Sequence, residues 1–275
     1  MPHLAYVTLQ TFTVPLRAQL GTMNDRFLRP LGGKAYGRVA HLPGSRQGAG
    51  ERQIAPELVR RLTVSPRSGD QVWVQEKLDG TNLSVLRLGD ELVALTRAGY
   101  RAANSRRIQG RLFAVWVQTQ AHRFLDVLQP GERVVGEWLL FAHGTHYVLP
   151  HEPFVVFDIM QGTQRLPLRV LTNRLSGTFI LPFVHAQSAA LPATVYDALT
   201  LPGHHGAATY PEGLIYRLEH GDHVECVAKW VRPNYRTGQY FQDDEAVIPN
   251  TLRPEDQALL TSLEQALSGV PVLPD

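Results

Sequence analysis

Hydrophobic and polar residues alternate with a period of two along several segments, which is the pattern of strands with one buried face. Two of these segments, 82–88 and 91–97, meet at Gly89-Asp90 and predict a β-hairpin. Residues 1–16 alternate enough to form a strand as well. The remaining predicted strands are 72–78, 133–141, 153–160, 213–219 and 223–231.

Residues 105–128 follow a different period, with apolar side chains recurring every three or four positions, and predict an amphipathic helix. Shorter helices are predicted at 54–62, 168–175 and 253–267. The Gly- and Arg-rich segment 30–53 is expected to be a long loop. Because these strands and helices do not alternate strictly, the pattern indicates an α+β fold.

The composition limits the possible classes of protein. The chain has 275 residues, 44% of them hydrophobic, and a net charge of +2, so it can bury a core without being strongly basic. A single cysteine, Cys226, excludes an internal disulfide and disfavours a cysteine-based zinc site. We expect a cytoplasmic protein, because we see neither a signal peptide nor an apolar run that could span a membrane.

Other features of the sequence do not identify a function. The arginines between positions 97 and 111 suit either a phosphate-facing surface or a solvated helix face. His143 and His146 lie close together in the chain but lack the helical spacing of a zinc protease, although contact with a nucleotide or substrate is open to them. There is no P-loop and no G-x-S-x-G turn.

The segment with the clearest chemistry is Glu76-Lys77-Leu78-Asp79-Gly80-Thr81-Asn82, where a predicted strand ends in a turn. A lysine amine becomes a nucleophile when burial or a neighbouring cation keeps it neutral. Gly80 allows the backbone to approach a phosphate closely. Four residues of the form K-x-D-G also fit an ordinary surface turn, so this segment by itself leaves the function open.

Five further motifs follow in order along the chain: Thr96-Arg97-Ala98-Gly99, Gly136-Glu137-Trp138, Phe154 to Ile159, Glu212 to Tyr216, and Ala228-Lys229-Trp230-Val231-Arg232. From about residue 72 to 232, this series resembles the nucleotidyltransferase motifs shared by ATP-dependent polynucleotide ligases and mRNA capping enzymes. The first motif looks most like that of the RNA ligases, in particular the phage T4 type that seals nicks in duplex RNA.

The resemblance implies an ATP-grasp-like ligase domain of antiparallel sheets flanked by helices, over residues 1–232 and including an N-terminal extension, 1–70. DNA ligases and capping enzymes carry an OB-fold after the last motif. Only 43 residues follow Arg232 here, and they look helical. We therefore expect 233–275 to be a short, partly helical appendage without a complete OB-fold.

The resemblance also implies catalytic roles for three residues. Lys77 would attack the α-phosphate of ATP and form lysyl-AMP. Lys229 would contact the same phosphate and keep Lys77 neutral through like-charge repulsion. Glu212, together with Glu137, would hold a divalent metal, Mg²⁺ or Mn²⁺.

Nucleotide contacts follow from the same comparison. Phe157 would stack on adenine, with Phe154 as the fallback on the other side of the strand. Glu137 would hold the ribose hydroxyls, Arg97 the ribose or the phosphate of the donor end, and Glu76 the adenine through its backbone. The expected nucleotide-binding residues are Glu76, Asp79, Gly80, Arg97, Glu137, Phe157 and Lys229.

Four residues are candidates for contact with nucleic acid: Arg46, Asn82, Arg101 and Arg232. The loop around Arg46 has two interpretations: it binds phosphates along its length, or it is a flexible basic loop without that role. Arg232 stands where the family usually has a second lysine, but one position late. Strand alternation would turn it away from Lys229 unless a bulge intervenes.

The resemblance thus predicts an ATP-dependent RNA ligase that joins 5′-phosphate and 3′-hydroxyl ends through lysyl-AMP and an adenylylated 5′ end. Its partners would be RNA ends in a nicked duplex or a broken strand, with no membrane. DNA ligase, GTP-dependent guanylyltransferase and a non-catalytic nucleic-acid binder remain alternatives.

Overall fold

The computed structural model describes residues 28–199, 202–242 and 246–268. Two five-stranded sheets form the framework. The first contains β1 (Ala40–His41), β10 (His223–Val231), β9 (Gly213–His220), β2 (Asp70–Lys77) and β8 (Val184–Ala186), in that order. The second contains β4 (Glu91–Thr96), β3 (Thr81–Leu88), β5 (Glu132–Trp138), β6 (Phe154–Gln161) and β7 (Gln164–Arg165).

Pairing within the sheets is antiparallel, except that β1 runs parallel to β10. The helices are α1 (Pro56–Thr63), α2 (Ile108–Thr119), α3 (Ala121–Val127), α4 (Leu168–Leu175), α5 (Pro192–Asp197) and α6 (Pro254–Ser268). A short antiparallel pair of strands, β11 (Phe241–Gln242) and β12 (Ala246–Val247), precedes α6 in the chain. The α+β prediction is confirmed.

The second sheet is covered by helices over a core that contains a cluster of aromatic rings among aliphatic side chains. The ring of Phe113 from α2 lies 4.9 Å from Phe154 and 5.3 Å from Trp138, between ring centroids. Leu260 and Leu263 of α6 belong to the same buried cluster. The helix after the last motif therefore packs on the core of the second sheet.

Most predicted elements are found, with shifted ends. The single helix predicted for 105–128 is wrong, since Gln120 leaves helical geometry (φ −106°, ψ 14°) and separates α2 from α3. The strand predicted for 133–141 ends at Trp138. β8 and α5 were not predicted. The strand predicted for 1–16 lies outside the described residues.

The segment predicted as a long loop, 30–53, is attached to the edge of the first sheet. It contains β1, and the Leu42 amide donates a hydrogen bond to the Lys229 carbonyl (2.9 Å). The Arg46 amide donates to the Val231 carbonyl over the same distance, 2.9 Å. This segment therefore lies beside the last motif.

The chain passes from the first sheet to the second between Lys77 and Thr81. Gly80 lies at this crossing, where a Cβ atom would come within 2.5 Å of the Trp138 carbonyl oxygen. A larger residue would push the two sheets apart at this point. The sequence motif around Lys77 is thus the junction of the sheets. Among the described residues, no helix is long and apolar enough to cross a membrane.

Candidate active site

Two connected spaces meet at Lys77. The inner cavity, of ≈ 150 Å³, lies between the sheets, and the groove, of ≈ 620 Å³, opens beside it. Both spaces are lined by Lys77, Asn82, Arg97, Glu137 and Lys229. All five are predicted from the sequence to act in catalysis or binding, and the fold brings them to one place.

Lys77 is the last residue of β2, and its ammonium donates a hydrogen bond to Glu212 Oε2 over 2.5 Å. Glu212 immediately precedes β9, whose Gly213 pairs with Lys77 across the sheet. Burial favours a neutral lysine, but the carboxylates of Glu212 and Glu137 outweigh it, so the pKa of Lys77 is raised. The expectation that Lys77 is held neutral is therefore wrong in this structure.

Lys229, expected to repel Lys77, is paired with a carboxylate of its own. Its Nζ atom donates to Glu51 Oε1 over 2.6 Å. This ion pair offsets the positive charge that would have lowered the pKa of Lys77. Sequence analysis did not identify Glu51, because its only sequence context is a Gly- and Arg-rich loop.

Acidic groups accumulate on the other side of Lys77. Burial is the largest cause that raises the pKa of Glu137 to about 7; the carboxylate of Asp79 contributes to this shift, and Lys77 opposes it. The pKa of Glu212 is also raised to about 7, and burial is the largest cause. The Gly80 amide donates to Glu137 Oε1 (3.1 Å), which fixes the direction of that side chain.

This surplus of carboxylates fits a divalent cation, which would favour their ionised forms. The described residues include no group of three or more His, Cys, Asp or Glu side chains arranged to hold a metal. A bound Mg²⁺ typically uses one or two carboxylates and completes its shell with water and phosphate oxygens. Glu137, which faces both spaces, suits that role.

Asp79 was expected to bind nucleotide, but its hydrogen bonds are structural. Its Oδ2 atom accepts a hydrogen bond from the Gly144 amide (2.8 Å), and its own amide donates to the Tyr147 hydroxyl (3.0 Å). Asp79 lines the groove and not the inner cavity. These bonds hold the crossing of the sheets in shape.

An aromatic wall closes the inner cavity. Phe157 lines it, and the ring of Tyr36 meets Phe157 edge to face at 5.4 Å between centroids. Phe154, the alternative candidate for stacking on adenine, is fully buried under α2. Tyr36 comes from the segment predicted as a loop, and no sequence pattern pointed to it.

The Glu76 carboxylate makes its polar contacts with two histidines. Its Oε2 atom accepts a hydrogen bond from the His204 amide (3.0 Å) and lies 3.4 Å from His185 Nε2. Glu76 still lines the inner cavity. This placement agrees with a contact through the backbone.

The four residues expected to contact nucleic acid separate into two pairs. Arg46 lines the groove and donates to Thr237 Oγ1 (2.9 Å), and Asn82 lines both spaces. Arg101 lines neither space and pairs with Glu91 (3.1 Å). Arg232 also lines neither, and its guanidinium lies 5.7 Å from the ring centroid of Tyr235.

Arg101 and Arg232 line neither space, and their contact with nucleic acid stays a prediction. Arg232 faces away from Lys229 because β10 continues past Lys229 with a regular register. Its amide donates a hydrogen bond to the Glu212 carbonyl (3.1 Å). Arg97, although exposed, lines both spaces and donates to the Gly37 carbonyl (2.8 Å).

The far side of the groove contains residues that sequence analysis mostly missed. Thr81 Oγ1 donates to Gln109 and lies 3.1 Å from His143 Nε2. Burial lowers the pKa of His143. Arg107 adds a positive charge to this side. Thr81 belongs to the first motif, whereas Arg107, Gln109 and His143 lie outside the recognised motifs.

Solved structures with similar folds include RNA ligases. An archaeal ATP-dependent RNA ligase is 19% identical over 70% of this chain and 48% of its own, with a TM-score of 0.44. An RNA ligase mutant from Naegleria gruberi, solved with AMP and Mn, is 15% identical over 60% of this chain and 50% of its own, with a TM-score of 0.43. The chain spans about half the length of these proteins.

No curated protein matches the chain. The family model described as RNA ligase matches residues 70–231, more than half of the sequence. The matched region includes Lys77, Glu137, Glu212 and Lys229, which meet at the junction of the two sheets. The chain belongs to the RNA ligase family.

Proposed function

We propose that this chain is an ATP-dependent RNA ligase that joins 5′-phosphate and 3′-hydroxyl ends through a lysyl-AMP on Lys77. One observation carries the proposal: Lys77 lines both the inner cavity and the groove, and its amine is 2.5 Å from the Glu212 carboxylate. A nucleophile at the junction of two spaces can receive a nucleotide from one and pass it to a substrate in the other.

The inner cavity suits the adenosine of ATP. Phe157 offers an aromatic surface to the base, and Tyr36 supports that ring from its edge. Glu137 and Arg97 line this cavity and would contact the ribose and the α-phosphate. ATP would thus be oriented with its phosphates toward the groove.

In the first step, the Lys77 ammonium would transfer a proton to Glu212 Oε2, its present hydrogen-bond acceptor. The free amine would then attack the α-phosphorus, forming a P–N bond as the P–O bond to pyrophosphate breaks. A pKa of about 7 makes Glu212 a workable proton acceptor near neutral pH. Lys229 would stabilise the charge that develops on the phosphate.

Glu137 is the carboxylate best placed to hold Mg²⁺ or Mn²⁺, because Glu212 is engaged by Lys77. The cation would offset negative charge on the phosphates. The Naegleria gruberi RNA ligase mutant was solved with AMP and Mn, and the choice between Mg²⁺ and Mn²⁺ here stays a prediction.

The second and third steps would take place in the groove. A 5′-phosphate would attack the lysyl-AMP, which transfers AMP to the RNA and frees Lys77. A 3′-hydroxyl would then attack that 5′-phosphate, and AMP would leave. Arg46 and Arg107 supply positive charge along the groove for the phosphates. RNA ends in a nicked duplex and in a broken strand are both predicted substrates.

The test uses the scarcity of lysine. Only Lys34, Lys77 and Lys229 occur in the sequence, so three Lys→Arg variants cover every lysine that could carry AMP. The protein is incubated with metal and ATP labelled at the α-phosphate, and the label that stays on the denatured protein is measured under conditions that preserve the acid-labile P–N bond. We expect normal labelling in Lys34→Arg and none in Lys77→Arg; undiminished label in Lys77→Arg would refute the proposal.

Three further measurements separate the alternatives. Labelling by GTP and not by ATP would identify a guanylyltransferase. Equal joining of ends with a 3′-terminal ribose or deoxyribose would favour a DNA ligase. RNA binding without any covalent AMP, in protein whose intact mass shows no AMP already attached, would indicate a non-catalytic binder.

A further inference from the structure

A loop that precedes the family-matched region lies against the last motif. This loop, residues 42–51, is here called the Glu51 loop. Besides the two backbone bonds from Leu42 and Arg46, the Val231 amide donates to Ser45 Oγ (2.9 Å). These contacts attach the Glu51 loop along the end of β10, next to Lys229.

Glu51 is held in place by three groups. Its Oε1 atom accepts the hydrogen bond from Lys229 Nζ (2.6 Å), and its Oε2 atom accepts one from the Gly48 amide (2.7 Å). His41 Nε2 lies 3.0 Å from the same Oε2 atom, and His41 is itself buried beside Ser45. These contacts orient the Glu51 carboxylate toward Lys229.

The carboxylate of Glu51 is ionised at any physiological pH. Burial acts to raise its pKa, but the hydrogen bonds from Lys229, the Gly48 amide and His41 outweigh burial and bring the pKa to about 2. Glu51 also lines the groove, together with Arg46 and Lys229. A fixed negative charge thus lies in the space where the phosphates of the substrate are expected.

That charge opposes the binding of phosphate at Lys229. An anion that reaches Lys229 must displace a carboxylate already in contact with it, and both anions repel each other at this distance. Lys229 and Glu51 are 19% and 31% exposed, so solvent screens the repulsion only in part. Pyrophosphate, with several charges, is affected more than the single phosphate of AMP.

We infer that Glu51 competes with pyrophosphate for Lys229 and, by recapturing the lysine, promotes release of pyrophosphate after lysyl-AMP has formed. The inference rests on the proposed function and adds an interaction that favours formation of lysyl-AMP over its reversal by pyrophosphate. In the reverse reaction, a pyrophosphate oxygen attacks the α-phosphorus, the P–N bond breaks, and ATP and the Lys77 amine reform. Glu51 acts through Lys229 and is a positioning residue.

The decisive variant is Glu51→Gln, which keeps the shape and an oxygen for the Gly48 amide but removes the charge. Adenylylated protein is mixed with inorganic pyrophosphate, and the loss of label is followed. We expect half-maximal discharge at a pyrophosphate concentration about tenfold lower than in the wild type. Glu51→Asp, which retains the charge, should respond much more like the wild type.

The sign of the effect separates competition from a purely structural role. A loop that merely lost its shape would weaken the binding of pyrophosphate. Equal or weaker discharge in Glu51→Gln therefore overturns the inference. Glu57→Gln is the matched control, because Glu57 is exposed on α1 and pairs with Arg67, away from both spaces.

Failure of the proposed function is recognised separately. If the wild type never forms lysyl-AMP, the ligase proposal fails, but titration calorimetry with inorganic pyrophosphate still compares the wild type with Glu51→Gln. Tighter binding to the variant supports competition at Lys229, and unchanged or weaker binding refutes it.

Discussion

Arg217 of β9 donates a hydrogen bond from Nη1 to Asp158 Oδ1 of β6 over 2.8 Å, and so links the two sheets behind the inner cavity. Both side chains line that cavity and are almost fully buried. Arg217 also donates from Nε to Glu219 Oε1 (2.8 Å), and Arg165 donates to Asp158 Oδ2 (3.0 Å). The network positions the wall that carries Phe157.

Replacing Arg217 tests this link. Arg217→Met removes the cation between two buried carboxylates, and we expect the free energy of unfolding to fall by about 3–5 kcal/mol. Urea denaturation measures the change. Arg101→Met, which breaks an exposed pair with Glu91, is the control and should cost less than about 1 kcal/mol. A fully stable Arg217→Met protein would show that the network does not hold the sheets together.

The pair Lys77–Glu212 predicts a pH dependence for adenylylation. Because the pKa of Lys77 is raised, the wild-type rate should increase with pH into the alkaline range. Glu212→Gln removes the charge that raises this pKa most, and burial then favours the neutral amine. We expect the midpoint of the pH profile to move to lower pH.

The same variant loses the proposed proton acceptor, so its maximal rate should fall by about 100-fold. Single-turnover labelling across a pH series measures both effects. Glu91→Gln, at an exposed surface pair, should leave the profile unchanged. A midpoint that stays in place or rises in Glu212→Gln would contradict the assignment of Glu212.

Phe157 is expected to determine the affinity for ATP. Phe157→Leu keeps an apolar side chain but removes the aromatic face, and the loss of stacking should raise the KM for ATP about tenfold or more. Phe183→Leu is a suitable control, because Phe183 is 40% exposed and does not line either space. An equal KM in wild type and Phe157→Leu would place adenine elsewhere.

Two buried histidines predict loss of stability in acid. The Phe183 amide donates to His205 Nε2 (3.1 Å), which leaves Nδ1 of His205 to donate to His151 Nε2 (2.8 Å). Both rings are neutral in this arrangement, and burial lowers the pKa of His205 to about 4. The unfolded chain therefore binds more protons as the pH falls below 6.5.

The stability supplied by a neutral His205 is present above its unfolded pKa and is lost as the pH falls toward 4. We expect a decrease of about 2 kcal/mol in the free energy of unfolding between pH 7 and pH 5. His205→Gln should flatten this dependence, whereas His223→Gln, on the surface, should not. The same slope in His205→Gln as in the wild type would rule out the histidine pair as its source.

The sequence by itself determined the local elements and the identity of the chemical groups. Alternation and helical spacing depend on near neighbours, so 168–175, 213–220 and 223–231 were predicted almost to the residue. The order of the motifs singled out Lys77, Glu137, Glu212 and Lys229, which line the groove together. The chemistry of these four side chains depends on residue type and on position relative to a strand, and both can be read from the sequence.

Only the tertiary structure decided which charges meet. Lys77 pairs with Glu212, 135 positions away, and Lys229 with Glu51, 178 positions away. These pairs set the protonation of Lys77 opposite to the expectation from sequence, because a pKa depends on the nearest charges and on burial, neither of which is local in the chain. Tyr36 and Glu51 likewise reach the site because the segment 30–53 is attached to β10.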